Sequence, residues 1–341
     1  MILKLLRPHV RALRGYSTAR DEFSGTAQVY LDANENPFES DLNRYPDPHC
    51  RALKQRISEL KGLERERIFI GNGSDEAIDL LVRALVAPGQ MIITTPPTYG
   101  MYAVAAQAHG FSVIEVPMSV DFSLDYDGLA HADARGGVLT FLCSPNNPTG
   151  GQLSRWDIEQ VLRRSNGVVV VDEAYIDFAA GASACTLLKE YPHLVVLQTL
   201  SKAWGMAGAR VGLAFGDPHL IAALSKLKLP YNVNALSQRI ALERLADTEL
   251  YAQQVQRIVR ERERLTSELS KIQTVQAVFP SEGNFLLVRC VDERRLFEAL
   301  RMQGIIVRDR SYDVHCSGCL RITVGTEAEN DRLLEAVRGF V

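Results

Sequence analysis

The chain has 341 residues, a length at which a single hydrophobic core usually divides, so two domains are expected. Its 46 % hydrophobic and 23 % charged residues are those of a globular chain, and a formal net charge of -3 gives no electrostatic reason to bind nucleic acid or an anionic membrane. Six scattered cysteines make no disulfide framework and read as reduced thiols of a cytosolic protein.

The N-terminus, "MILKLLRPHV", carries Lys4 and Arg7 inside its apolar stretch and lacks a small-residue cleavage pattern, so it is not a signal peptide. Residues 1–37 show little helical periodicity and read as an arm. Pro and Gly interrupt the charge-poor stretch 87–110, which excludes a membrane-spanning helix there. A cytoplasmic, soluble protein is expected.

From residue 38, apolar β-branched runs alternate with helical periodicity, the signature of βα units around a mainly parallel sheet. The predicted strands are 67–70, 91–95, 138–142, 168–172, 194–199 and 211–215, with helices at 74–86 and 156–165. Near-continuous Val and Ile without alternation imply strands buried on both faces. Beyond Leu229 a long charged amphipathic helix is predicted at 237–272, then strands at 284–289, 305–309 and 320–325 with helices at 294–304 and 329–340. The expectation is a large α/β domain at 38–235 and a smaller α+β domain at 236–341.

Ligands of open α/β sheets bind beyond the carboxyl ends of the strands. Here five predicted strands each run into an unusual cluster: "GNGSDE", "PPTYG", "CSPNNPTG", "DEAY" and "LSKAWGMAGAR". In the first, Ser74 opens a helix after two glycines, which suits either a capping box or a phosphate held by helix N–H groups. A dinucleotide fingerprint fails because Glu76 stands where its third glycine would be, and there is no Walker A sequence. Asp172 leaves a buried strand, where a carboxylate needs a partner; it either caps the next helix or pairs with a protonated ring nitrogen. Tyr175 and Asn147 can then hold a neighbouring ring oxygen.

Lys202 lies in an apolar setting, where a desolvated amine attacks carbonyls to form a Schiff base. Thr199, Ser201, Arg210 and the helix at Ser74 together make a cup for a phosphate. A phosphate, a pyridine nitrogen, a phenolic oxygen and an aldehyde describe pyridoxal 5'-phosphate.

In chain order, Asn147–Pro–Thr–Gly, Asp172-x-x-Tyr175 and Ser201–Lys202 with Arg210 resemble the fold-type I, class II aminotransferases. Within them, "LDANENPF" (31–38), "NRYPDP" (43–48), "IIVRDRSY" (305–312) and "CLRITVGT" (319–326) are similar to the histidinol-phosphate aminotransferase family, as is the arm. The resemblance runs nearly end to end and implies the following roles. Lys202 would bond the cofactor, Asp172 its ring nitrogen, and Tyr175 and Asn147 its ring oxygen, with Tyr99 stacked on the ring. Ser74, Asp75, Thr199, Ser201 and Arg210 would surround its phosphate, joined by Tyr45 from the second subunit of a homodimer. Arg308 and Arg321 would receive the anionic end of the substrates, histidinol phosphate and 2-oxoglutarate, with Asn34 nearby and Tyr16 at the imidazole end. A guanidinium fork matches phosphate and carboxylate alike; read without the resemblance, these two are surface or ion-paired strand arginines.

The lone C-x-x-C at Cys316 and Cys319 lacks two further ligands at finger spacing, so no metal is expected. Rival functions are a threonine-phosphate decarboxylase, an aromatic amino-acid aminotransferase, and a non-enzymatic regulator built on the same domain. The last needs a DNA-binding module ahead of the domain, for which the short arm leaves no room. The "ANENP" and "YPDP" segments favour the transaminase over the decarboxylase.

Overall fold

Val168–Val171 show why the strands of the larger domain form where they do. Four consecutive β-branched residues, all completely buried, can only be accommodated by a strand covered on both faces. In the computed structural model, which describes residues 2–23, 25 and 27–340, this strand lies at the centre of a seven-stranded sheet. The strands are β1 (Ile68–Asn72), β2 (Met91–Thr94), β3 (Ser112–Glu115), β4 (Gly137–Cys143), β5 (Val168–Asp172), β6 (Leu194–Thr199) and β7 (Val211–Phe215). Their spatial order is β1-β7-β6-β5-β4-β2-β3. Helices cover both faces, with two apolar clusters packed on either side.

All neighbours pair in parallel except β7, which runs antiparallel to both β1 and β6. Consequently β1, β2, β4, β5 and β6 end at one edge, and β7 begins there. The five clusters read from the sequence share that edge, and the reversal of β7 returns Arg210 to it.

The smaller sheet is antiparallel, with order β10-β11-β9-β8: β8 (Val275–Val278), β9 (Phe285–Cys290), β10 (Arg308–Asp309) and β11 (Cys319–Thr323). Its core packs against Leu265 and Leu269 of the helix Thr248–Leu269 and against Leu333, Leu334 and Val337 of the helix Glu327–Arg338.

Three features differ from the sequence expectation. The helix expected at 237–272 is two helices, Ala235–Ala246 and Thr248–Leu269, because the Asp247 side chain accepts from Leu250 N and starts a new N-terminus. The first of them buries Ala241 and Leu245 in the core of the larger sheet, so the expected boundary at 236 falls inside an element of the larger domain. In the arm, Ile2, Leu6 and Val10 are buried in that domain's other apolar cluster. Among the described residues, exposed positions predominate in the arm only after Ala12, apart from buried Thr18 and the surroundings of a short helix at Ala19–Glu22. Among the described residues, no helix is long and apolar enough to cross a membrane.

Candidate active site

Thirteen residues converge on a cavity of about 220 Å³ at the carboxyl edge of the larger sheet. They are Ser74, Asp75, Tyr99, Cys143, Asn147, Asp172, Ala174, Tyr175, Thr199, Ser201, Lys202, Arg210 and Arg321. Every residue proposed from the sequence for the cofactor lines it except Tyr45. Of the proposed substrate residues, Arg321 lines it and Arg308, Asn34 and Tyr16 do not.

One end of the cavity suits an anion. The helix Ser74–Leu85 starts at Gly73 with no side chain capping its first turn, so the capping-box alternative is not realised. Glu76, which would have closed such a box, instead accepts from Asn72 N at 2.5 Å and from Asn232 Nδ2 at 2.8 Å. The first-turn amides therefore stay available for a phosphate. Gly73 has φ +77° and lies so close to Arg210 that a Cβ would meet Arg210 Nη2 at 2.6 Å. Arg210 itself takes the left-handed conformation, φ 54°, uncommon for a side chain of its size. Asp75 holds both Arg210 Nη2, at 3.3 Å, and Tyr99 Oη, at 3.1 Å. Its carboxylate is thus an organiser, and its own contribution to an anion would be its backbone N–H. Thr199 Oγ1 donates to Val211 O and accepts from Ser201 N, which shapes the turn leading to Lys202.

The middle of the cavity holds Asp172, 2 % exposed. Its Oδ1 accepts from Ala174 N at 3.1 Å and its Oδ2 from Tyr102 Oη at 2.7 Å. The first bond closes a local turn and caps no helix, because the next helical segment, Ile176–Phe178, starts at Tyr175 without a side-chain cap. The capping alternative is therefore not realised, and the second bond has no counterpart in the sequence reading. Burial raises the carboxyl's pKa to about 6, against the opposing pull of those two bonds. A buried carboxylate in that state has room for a cationic partner.

Opposite it, the Lys202 side chain opens into the cavity, with Nζ 5.6 Å from the centroid of the Tyr175 ring. Lys202 counts as exposed because the cavity is open. Even so, the surrounding protein removes enough water from the amine to lower its pKa, and the positive charges of Arg321 and Arg210 lower it further. This is the depressed basicity a nucleophilic or proton-carrying amine needs.

Asn147 is presented by a turn that the neighbouring Asn146 anchors: Asn146 Nδ2 donates to Pro97 O and Thr149 Oγ1, each at 2.8 Å. The Asn147 side chain accepts from Arg321 Nη1 at 2.6 Å. Arg321 reaches the cavity from β11, its guanidinium 5.6 Å from the centroid of the Phe285 ring. Arg308 is its directly opposed partner in the β10–β11 register and is exposed. Burial first, then the charges of Arg310 and Arg308, lower the pKa of Arg321. Like charges opposed on adjacent strands repel, so the pair favours an anion between them.

The arm residues lie elsewhere. Glu35 accepts from Arg20 at 2.6 Å, Arg44 at 2.7 Å and Tyr45 N at 2.6 Å, folding the arm into a unit. Burial alone would raise the Glu35 carboxyl, but these bonds outweigh it and bring it to about 2. Tyr45 stacks on Tyr231 with centroids 4.4 Å apart and is half exposed, Asn34 is exposed, and Tyr16 is 73 % exposed. Cys143 and Ala174 line the cavity without having been proposed from the sequence, and Tyr102, behind its wall, bonds Asp172. Tyr102 lies three positions after Tyr99 at the start of the helix Met101–Ala108, and Cys143 is the last residue of β4; both positions mark the sheet's functional edge.

Comparison with known proteins agrees with this geometry. The model of the family "Aminotransferase class I and II" matches residues 22–337. The histidinol-phosphate aminotransferase of Parabacteroides distasonis is 49 % identical over 98 % of each chain. Among solved structures, the histidinol-phosphate aminotransferase of Clostridium acetobutylicum superposes with a TM-score of 0.81 at 26 % identity, covering 88 % of this chain and 91 % of its own. That of Sinorhizobium meliloti, solved in complex with pyridoxal-5'-phosphate, gives 0.79 at 26 % identity, covering 86 % and 82 %.

Proposed function

This chain belongs to the aminotransferase class I and II family, and from that premise we propose that it transfers the amino group of L-histidinol phosphate to 2-oxoglutarate, using pyridoxal 5'-phosphate, in histidine biosynthesis. The observation that carries this reading is the meeting of Lys202, Asp172, Asn147, Tyr175 and Arg321 in one cavity beside an uncapped helix N-terminus. The donor set fits the cofactor group by group. Ser201, Arg210 and the first-turn amides at Ser74 and Asp75 suit its phosphate, Asp172 its ring nitrogen, and the Asn147 amide and Tyr175 hydroxyl its ring oxygen. Tyr99, held by Asp75, offers its ring for stacking.

Bound in this way, the cofactor supplies an aldehyde that takes up amines and a ring that accepts electrons from the substrate carbon. The protein's own groups do the rest. Lys202 Nζ, with its lowered basicity, moves the proton to and from the substrate carbon as general base and acid. Asp172 holds a proton on the ring nitrogen. Arg321 and Arg308 take the phosphate of one substrate and the carboxylates of the other. The exposed apolar side chains of Tyr16 and Leu31 in the arm and of Phe38 and Leu229 in the larger domain offer a surface that a second copy would cover, with Tyr45 crossing to its cup. The free cysteines, most of them buried, suit a reducing cytoplasm.

The test is incubation of the purified protein with pyridoxal phosphate, histidinol phosphate and 2-oxoglutarate. Glutamate and imidazole acetol phosphate should appear together, and Lys202→Ala should remove both the products and the visible absorption of the lysine-bound cofactor. Carbon dioxide released from threonine phosphate, with no glutamate formed, would replace this reading with the decarboxylase.

A further inference from the structure

Tyr102 is fully buried and does not line the cavity. Its ring is fixed from two sides: it stacks on Phe141 with centroids 4.6 Å apart and planes 7° apart, and meets Tyr99 edge-on at 5.5 Å and 84°. Its hydroxyl therefore has one position, and there it donates to Asp172 Oδ2 at 2.7 Å. Ala174 N occupies Oδ1. With one donor on each oxygen, the carboxylate plane cannot turn without breaking a buried hydrogen bond, a costly loss in a site of this burial. The phenol stays neutral, since burial and the adjacent negative charge of Asp172 both push its pKa well above the ordinary value. Tyr102 is thus a permanent donor to Asp172.

We propose that Tyr102 is the positioning residue of Asp172, holding the carboxylate in the orientation that receives the cofactor's ring nitrogen. The same side chain braces Tyr99, so one residue outside the cavity sets both the carboxylate and the stacking ring within it. The inference rests on the cofactor proposed above and adds a residue that touches neither cofactor nor substrate.

The experiment compares pyridoxal phosphate affinity, by absorbance titration of the cofactor-free protein, for the parent, Tyr102→Phe, Asp172→Asn and the double variant. Tyr102→Phe keeps the stacked ring and removes only the hydroxyl. Loss of a hydrogen bond to a charged group corresponds to about ten- to a hundred-fold, so the affinity should fall at least about fivefold. In the Asp172→Asn background the same change should have almost no effect, because residues acting through one another are non-additive. Turnover of Tyr102→Phe should fall in kcat with KM for both substrates unchanged. A loss under about fivefold overturns the proposal. So does an equal loss in both backgrounds, or a drop of more than about 10 °C in melting temperature, since each marks a packing role. A parent protein that takes up no pyridoxal phosphate overturns the proposed cofactor itself, and the parent titration alone reveals it.

Discussion

Arg321 Nη1 donates to Asn147 Oδ1 at 2.6 Å, joining the smaller sheet to the larger across 174 positions of sequence. The bond fixes which way the Asn147 amide points. Its oxygen faces the guanidinium, so its Nδ2 is left as the donor for a ring oxygen. On the proposed function, Arg321 would serve the substrate anion and the cofactor's orientation at once. Asn147→Asp would keep the partner of Arg321 but replace the donor with a negative charge. Turnover should fall at least about tenfold, the equivalent of one charge-assisted bond. Steady-state kinetics would check it; activity within twofold of the parent would mean that Nδ2 holds nothing.

Asp172 links function to stability through pH. Burial pushes its carboxyl up to about 6 in the fold, against 3.8 for an ordinary aspartate, so the folded protein binds the proton more tightly. Its contribution to stability is therefore full below about pH 3.8 and is lost as pH rises through about 6, at a cost of about 3 kcal/mol at pH 8. Asp172→Asn removes that cost. The cofactor-free variant should melt higher than the cofactor-free parent at pH 8 and close to it at pH 5. Turnover should fall at least about 10²-fold, because the ring nitrogen loses its acceptor. Melting curves at the two pH values, with kcat measured alongside, would settle both halves; an unchanged melting temperature at pH 8 would mean that Asp172 is not buried as an ion.

The sequence made the cavity legible because its chemistry sits at strand ends. Lys202, Asp172, Asn147 and Ser74 each stand at or just beyond the end of a largely apolar strand, and strands buried on both faces push most polar groups to that edge. The remainder was illegible for identifiable reasons. β3 and β8 are short edge strands with half-buried residues and no continuous apolar run. The break at Asp247 sits inside a charged helical pattern that continues on both sides, and only a cap distinguishes it. Tyr102 carries no sequence signal of its role, because its hydroxyl's partner lies 70 positions away. Arg308, Asn34, Tyr16 and Tyr45 were proposed on resemblance rather than on position in the sheet, and in the single chain none of them reaches the cavity.

Tyr45 tests the proposed dimer directly. It is half exposed, away from its own chain's cavity, and held by the Glu35 network against Tyr231. If it completes the phosphate cup of a second copy, Tyr45→Ala and Lys202→Ala should each be inactive or nearly so alone. Mixed under conditions of subunit exchange, they should regain up to about a quarter of parental activity, since half the molecules become heterodimers with one intact site of two. No recovery, with exchange verified by differently tagged subunits, would mean that Tyr45 does not act across the interface.

The opposed arginines make the sharpest claim about substrates. Arg321 is buried enough to have its charge destabilised, lines the cavity and is bonded to Asn147, whereas Arg308 stands exposed one strand further out. A phosphate monoester carries nearly two negative charges near neutral pH and three acceptor oxygens, enough to engage both forks. A carboxylate carries one charge and is satisfied by a single bidentate fork. The inner arginine should therefore serve every anion that enters, and the outer one chiefly the phosphate. Arg308→Ala should lower kcat/KM for histidinol phosphate about ten- to a hundred-fold, the worth of one charge-assisted contact, and affect glutamate much less. Arg321→Ala should damage both half-reactions and also loosen Asn147. Single-turnover measurement of each half-reaction separates the two, because each involves only one of the substrates. Equal losses for both substrates in Arg308→Ala would refute the division of labour and would place the two guanidinium groups on one shared anion site.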